Sequence, residues 1–295
     1  MDAANAERHT MRQGHRIIGS IGDLADQYDG LIVDLFGTLH DGIDLLPGVL
    51  GALRDINQRH IRICLLSNAP RRRAQVVEQI DRMGLEHDFY CGLITSGEMV
   101  FEALAAGSSS LGDRYFHIGP AELSGLLHGS GRSPVADIDE ADFLLCTGIG
   151  HGPSVSRDPF ARAIERKLVM VCANPDRSVM IGQNTIACAG MVAERYEGMG
   201  GTVWYFGKPH RAAYDGAFSC LGIPAKRILA VGDALETDVR GANAAGIDAA
   251  LVLTGIDGHL VFNRQEGRVP WNKIAALRNR QHRPTFVVRA FARAE

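Results

Sequence analysis

The chain has little of what would mark it for a membrane, a nucleic acid or an oxidising compartment. No apolar run approaches the ~18–20 residues that a helix needs to span a bilayer. The opening "MDAANAERHTMRQGHRIIG" carries charge where a secretory leader has its apolar centre. Neither sign of charge dominates, since 31 basic against 34 acidic residues leave a formal net charge of −3. That balance gives no electrostatic reason to expect nucleic acid or an anionic lipid surface as partner. The six cysteines (Cys64, Cys91, Cys146, Cys172, Cys188, Cys220) show no CxxC spacing, and most lie in apolar runs. They are expected to be buried, reduced thiols in a cytoplasmic protein. There is no repeat at a fixed period and no low-complexity tract.

What is present is ordinary globular material. The 295 residues are 46% apolar and 22% charged, enough for a large core and for two domains rather than one. Short apolar runs end in small or polar residues: "LIVDL" (31–35), "IRICLLSN" (61–68), "TVWYFG" (202–207), "RILAVGD" (227–233) and "DAALVLTG" (248–255). Helical patterns such as "GVLGALRDINQRH" (48–60) and "ALETDVRGANAAG" (234–246) lie between them. Apolar strands alternating with helices predict an α/β fold with a doubly wound, Rossmann-like parallel sheet covered on both faces. A second series, "YFHIG", "FLLCTGIG" and "LVMVCANPD", interrupts the first and reads as an inserted α/β domain. The expected partition is a core of residues 1–78 and 200–295 with an inserted domain of 79–199. The Arg-rich tail reads as a helix end followed by an edge strand at "TFVV" (285–288).

Ligands of such sheets bind at the carboxyl ends of the strands, and several polar residues fall there. Asp34 follows the first run, and the backbone N–H groups of Gly37-Thr38 after it are of a kind that cradles an anion. "LLSNAP" puts the Ser67 hydroxyl and the Asn68 amide at a neighbouring strand tip, although "SN" alone also reads as a helix N-cap. "FGKPH" places Lys208 on a loop before a helix, with His210 flanking that helix. "VGDALETD" places Asp233 at a strand end and Asp238 five residues on. Asp34 and Asp233 offer hard oxygen ligands suited to Mg²⁺, which takes one or two carboxylates plus substrate phosphate. Lys208 and Ser67 offer positive charge and a donor for the remaining phosphoryl oxygens.

The order DxFGT, LLSN, GKP, GDxxxTD resembles the haloacid dehalogenase-like superfamily over about residues 28–258. Only 28 residues separate Thr38 from Ser67, whereas 140 separate Ser67 from Lys208. An insert in that second interval resembles the class IIA members with an α/β cap, the NagD and 4-nitrophenylphosphatase-like group. "CANPDRSV" (172–179) is similar to the cap loop of that group. The resemblance implies a phosphatase acting on a small phosphorylated metabolite, such as a sugar or nucleotide phosphate, through an aspartyl-phosphate on Asp34. It implies phosphate binding by Ser67 and Lys208, and Mg²⁺ binding by Asp34, Asp233 and the backbone carbonyl of Phe36. Asp238 would support the metal directly or through water. Asn174 and Asp176 would face the substrate from the cap loop, and caps of this type often contribute to a homodimer.

One position departs from that pattern. The family's phosphatases carry, two residues after the nucleophile, an aspartate that shuttles protons to and from the leaving group and water; here it is Phe36. General acid–base help of that kind is worth ~10²–10⁴ in rate. The nearest titratable groups are His40, whose ordinary pKa suits neutral pH, and Asp41. "HDG" also reads as a turn, with Asp41 bonding local backbone. An aromatic at this position fits a dehalogenase, whose leaving halide takes no proton, but a dehalogenase cap enters between the first two motifs. A third reading is a catalytically weak protein that binds a phosphorylated metabolite. His151, in "GIGHGPSV", is a further residue placed to touch substrate.

Overall fold

The computed structural model describes residues 17–105, 110–150, 159–182, 184–258 and 282–293. The 1–16 segment and His151 lie outside the described residues, as does the helix end expected in the tail. The chain divides into two compact units, one of residues 1–65, 85–92 and 218–295, the other of 66–84 and 93–217.

The first unit is built on a parallel sheet. Strand β1 (Gly30–Val33) is buried along its whole length. It has β2 (Arg62–Ser67) on one side and β11 (Ile228–Gly232) on the other, in the registers Leu31↔Ile63 and Leu31↔Leu229. Strands β12 (Asp248–Val252) and β13 (Phe286–Val288) continue outward in parallel. With β3 (Gly92–Thr95) the order is β13-β12-β11-β1-β2-β3. Burial of every residue in β1 and β11 means that both faces are covered, which is why these strands read as unbroken apolar runs. Helix α1 (Val49–Gln58) buries Val49, Leu53 and Ile56, one stripe at helical spacing. The expected edge strand near 285–288 is β13, at the end of the sheet.

The second unit carries a five-stranded parallel sheet. Its strands are β4 (Arg114–Ile118), β5 (Ser133–Val135), β6 (Phe143–Cys146), β7 (Val169–Cys172) and β10 (Thr202–Tyr205), ordered β10-β7-β6-β4-β5. Alternate residues of the central strands enter opposite cores. Phe116, Leu144, Cys146, Met170 and Cys172 pack with Ala189, Ala193 and Tyr196 of α5 (Ala189–Gly198) and with Phe160 and Ala163 of α4 (Pro159–Glu165). Tyr115, Phe143, Leu145 and Val171 pack with Val100 and Leu104 of α3 (Ser96–Ala105). The period of two in a strand produces this division. Strands β8 (Ser178–Ile181) and β9 (Asn184–Ala187) form a separate antiparallel hairpin.

The run "TVWYFG", read with the first series of strands, belongs to the second sheet. As β10 it pairs with β7 in the register Val203↔Met170. Strands of both sheets are short apolar runs, so their pattern says nothing about which sheet they join. The two compact units accordingly divide the chain at other positions than the expected 1–78 with 200–295 and 79–199.

Candidate active site

The carboxyl end of β1 delivers Asp34, whose N–H donates to the Val231 carbonyl at 2.9 Å, continuing the ladder one residue past the strand. The carboxyl end of the neighbouring β11 delivers Asp233. Beyond it the chain makes a π-helical turn, Leu235–Val239, before α7 (Arg240–Ala245), and that turn carries Asp238. Among the described residues, Asp34, Asp233 and Asp238 are one group of metal-ligating side chains, each offering an oxygen within 4.8 Å of the others. All three are buried, at 6%, 8% and 5% exposure. Three converging buried carboxylates repel one another, and a hard divalent cation is the group such an all-oxygen set fits.

The surrounding backbone fixes these side chains. Gly37 has φ +70°, and a Cβ there would overlap the Asp233 carboxylate and meet the Gly255 Cα at 2.8 Å. A Cβ at Gly255 would overlap the same carboxylate, and one at Gly232 would overlap that of Asp238. Asp233 therefore sits between two glycines, with Oδ2 accepting the Ile256 N–H at 2.6 Å. Asp257 accepts the Leu235 N–H at 2.6 Å and tethers the start of the π-helical turn. Asp238 Oδ2 accepts the Ala234 N–H at 3.2 Å. Gly232, Gly255 and Asp257 were missed by sequence reasoning. The signal for Gly255 and Asp257 is the small-residue stretch "TGIDG" (254–258), which reads as an ordinary loop until its strand is placed beside β11, and Gly232 is the residue before Asp233 in "VGD".

Two expectations for the loop after Asp34 are corrected. The Gly37 N–H donates to the His40 carbonyl at 2.8 Å and the Thr38 N–H to the Leu35 carbonyl at 3.3 Å. These amides close the loop on itself, so they form no anion cradle. Thr38, wholly buried, instead turns its hydroxyl to Asp34 Oδ2 at 3.4 Å. His40 is 1% exposed, and its Nδ1 accepts the Gly42 N–H at 3.0 Å. Burial pushes its pKa down to about 4, against the smaller opposite pull of Asp41, so it does not titrate near neutral pH as expected. Its ring meets that of Phe36 edge-on at 4.4 Å. His40 buttresses the loop. Asp41 Oδ1 accepts the N–H groups of Ile43 at 2.9 Å and Asp44 at 3.0 Å, the turn role.

The second unit holds the other sequence candidates. Ser67 is buried and its Oγ accepts the Ala69 N–H at 3.2 Å. Asn68 was expected to bind phosphate, but its amide is used for positioning. Oδ1 accepts the Lys208 N–H at 2.7 Å, while Nδ2 donates to the Lys208 carbonyl at 3.0 Å and to Asp176 Oδ1 at 2.9 Å. A side chain thus does for Lys208 what a neighbouring strand would do. Gly207, at φ +109°, permits this, because a Cβ there would overlap Asn68 Oδ1. Lys208 is 3% exposed, an unusual depth for an ammonium group. Asn174 Oδ1 accepts the Asp176 N–H at 3.0 Å and sets the turn that brings Asp176 to Asn68. His210 flanks α6 (Arg211–Leu221) and stacks on Tyr205 at 5.5 Å.

A family model for haloacid dehalogenase-like hydrolases matches residues 31–132, and an HAD-hydrolase-like model matches 205–294. A crystal structure of a haloacid dehalogenase-like hydrolase from Brucella suis 1330 superposes with a TM-score of 0.77 at 30% identity, covering 93% of this chain and 99% of that one. The D-glycerol 3-phosphate phosphatase of Mycobacterium tuberculosis is 28% identical over 236 residues, 79% of this chain. The match spans 65% of that phosphatase, just under two thirds of its length. A crystal structure of a glycerol phosphate phosphatase from Mycobacterium tuberculosis in complex with magnesium has a TM-score of 0.63 at 25% identity, covering 94% of this chain and 79% of the other. The sugar-phosphatase AraL of Bacillus subtilis is 25% identical over 232 residues, 77% of this chain and 83% of its own.

Proposed function

Because the chain belongs to the haloacid dehalogenase-like family of hydrolases, we propose that it is a Mg²⁺-dependent phosphatase of small phosphorylated metabolites. The observation that carries the proposal is the convergence of the buried Asp34, Asp233 and Asp238 at adjacent strand ends. Relatives named as phosphatases of glycerol 3-phosphate and of sugar phosphates support hydrolysis of a phosphorylated metabolite as the reaction, although the alkoxide leaving groups of their substrates differ from the class that Phe36 favours here.

In this reading Asp34 attacks phosphorus, the leaving oxygen departs, and water then cleaves the aspartyl-phosphate, two easier steps in place of one. Asp34, Asp233, Asp238 and the Phe36 backbone carbonyl would hold the cation, which when bound neutralises phosphoryl charge. Thr38 orients the Asp34 carboxylate through its hydroxyl. Lys208 and Ser67 are assigned to the phosphoryl oxygens, with Asn68 clamping the Lys208 backbone. The inserted segment, taken as 79–199, is assigned the choice of substrate, with Asn174 and Asp176 on its loop.

Phe36 narrows the substrate further. It holds no transferable proton, and His40 is buried and neutral at pH 7, so this loop supplies no general acid. The enzyme is therefore suited to leaving groups that depart as stable anions, such as an acyl or aryl oxygen, rather than an alkoxide. The test compares acetyl phosphate, p-nitrophenyl phosphate and an alkyl phosphate, each with Mg²⁺ and with EDTA. EDTA-sensitive phosphate release that falls in that order supports the proposal. Halide release from a 2-haloacid without metal would favour a dehalogenase, and phosphate-ester binding without turnover would favour a binding protein.

A further inference from the structure

Two of the six cysteines do not follow the expectation of burial. Cys91 is exposed and Cys220 half-buried, whereas Cys64, Cys146, Cys172 and Cys188 are buried. Their positions differ by 129 in the sequence, yet the two Sγ atoms lie 3.0 Å apart. A disulfide needs about 2.05 Å between sulfurs, so an ångström of side-chain motion separates this pair from a bond.

The backbone on both sides holds the pair in place. The Cys91 N–H donates to the Ile63 carbonyl at 2.8 Å, fastening it beside β2. Cys220 lies in the last turn of α6, which closes with the Gly222 N–H on the Phe218 carbonyl at 2.9 Å. Arg62 Nη2 donates to the Cys220 carbonyl at 3.2 Å. Gly92 makes room for the sulfur, because a Cβ there would stand 2.6 Å from Cys220 Sγ.

We propose that Cys91 and Cys220 are a redox-active dithiol that closes to a disulfide by exchange with a low-molecular-weight disulfide. The exposed Cys91 thiolate attacks one sulfur of the small disulfide and expels a small thiolate with the bonding electron pair. The Cys220 thiolate then attacks Cys91 Sγ and expels the second small thiolate. Two protein thiols are oxidised, one small disulfide is reduced to two thiols, and the two protein protons pass to solvent or to the departing thiolates. Burial, together with the hydrogen bond and charge of Cys220, pushes the Cys91 thiol up to about 11, against an opposing pull from Arg62. The first step therefore quickens as pH rises toward that value. The bond would join the chain near two of the four places where it passes between its compact units, closing the segment from 91 to 220 into a loop.

The test uses the full chain, incubated with oxidised glutathione, blocked with N-ethylmaleimide and digested without reductant. The expected result is a linked peptide pair containing Cys91 and Cys220, released by dithiothreitol and absent from Cys91→Ser and Cys220→Ser. Neither variant alters the carboxylate centre, so both should hydrolyse p-nitrophenyl phosphate at the wild-type rate, and the redox result stands whether or not hydrolysis is seen. Glutathione retained on Cys91 with Cys220 alkylated, alkylation of both, or a bond between two molecules would overturn the proposal.

Discussion

Phe36 holds no transferable proton, and its ring packs edge-on against a buried histidine whose pKa is pushed down to about 4. Restoring a carboxyl group there should raise turnover, and the gain should depend on the leaving group. Phe36→Asp is expected to speed hydrolysis of an alkyl phosphate by at least about tenfold, at the lower edge of what general acid–base help supplies. Acetyl phosphate should gain far less, and equal gains in kcat would show that protonation is not what Phe36 removes. His40 carries a separate pH effect. Its folded-state pKa of about 4 lies below the ordinary 6.5, so the unfolded chain takes up the proton first as pH falls. The stability it contributes is full above about pH 6.5 and is lost progressively toward pH 4, up to about 3 kcal/mol. Urea unfolding across that window should show a shallower pH slope in His40→Asn than in the wild type. The strand-end positions of Asp34, Ser67 and Asp233, and the loop position of Lys208, were legible because they end apolar runs. The neutrality of His40, the internal bonding of the Gly37 and Thr38 amides and the clamp made by Asn68 were not. Each depends on a partner fixed only when the loops close.

At the scale of elements, parallel strands bring Asp34 and Asp233 together. The ladder between β1 and β11 holds in register to Val33↔Val231, so the residues just beyond both strands emerge side by side. The strand-end positions of both residues followed from the apolar runs, as did α1 and the edge strand β13, whereas the pairing of β1 with β11 did not. The assignment of β10 to the second sheet did not, because a four-residue apolar strand carries no label for its partner. The two-core arrangement of the second unit gives a direct mutational expectation. Leu144 is fully buried on the α4–α5 side, and Leu144→Ala should cost about 2–5 kcal/mol. Ile186, 45% exposed on the β8–β9 hairpin, should tolerate Ser within about 0.5 kcal/mol. Denaturant midpoints at constant m-value measure both, and equal losses would contradict the packing described.

At the scale of the whole molecule, a cation held by the three carboxylates as proposed would make stability depend on it. A ligand that binds only the folded state at a hundred times its dissociation constant adds about 2.7 kcal/mol. Mg²⁺ at that excess should raise the unfolding midpoint of the wild type and leave Asp233→Asn nearly unmoved, as read by thermal denaturation with and without EDTA. The α/β class was legible from apolar strands alternating with helices, and two parallel sheets carry it. Among the described residues no helix is long and apolar enough to cross a membrane. The glycines that shape the carboxylate centre stayed hidden because their role is the absence of a side chain beside residues distant in sequence. The most direct test is to quench the wild-type enzyme with acid during turnover of acetyl phosphate and Mg²⁺, then map the phosphorylated peptide by mass spectrometry. The account predicts a phosphoryl group on Asp34 that is lost, together with turnover, in Asp34→Asn. Sustained hydrolysis by Asp34→Asn, or a phosphoryl group on another residue, would contradict it.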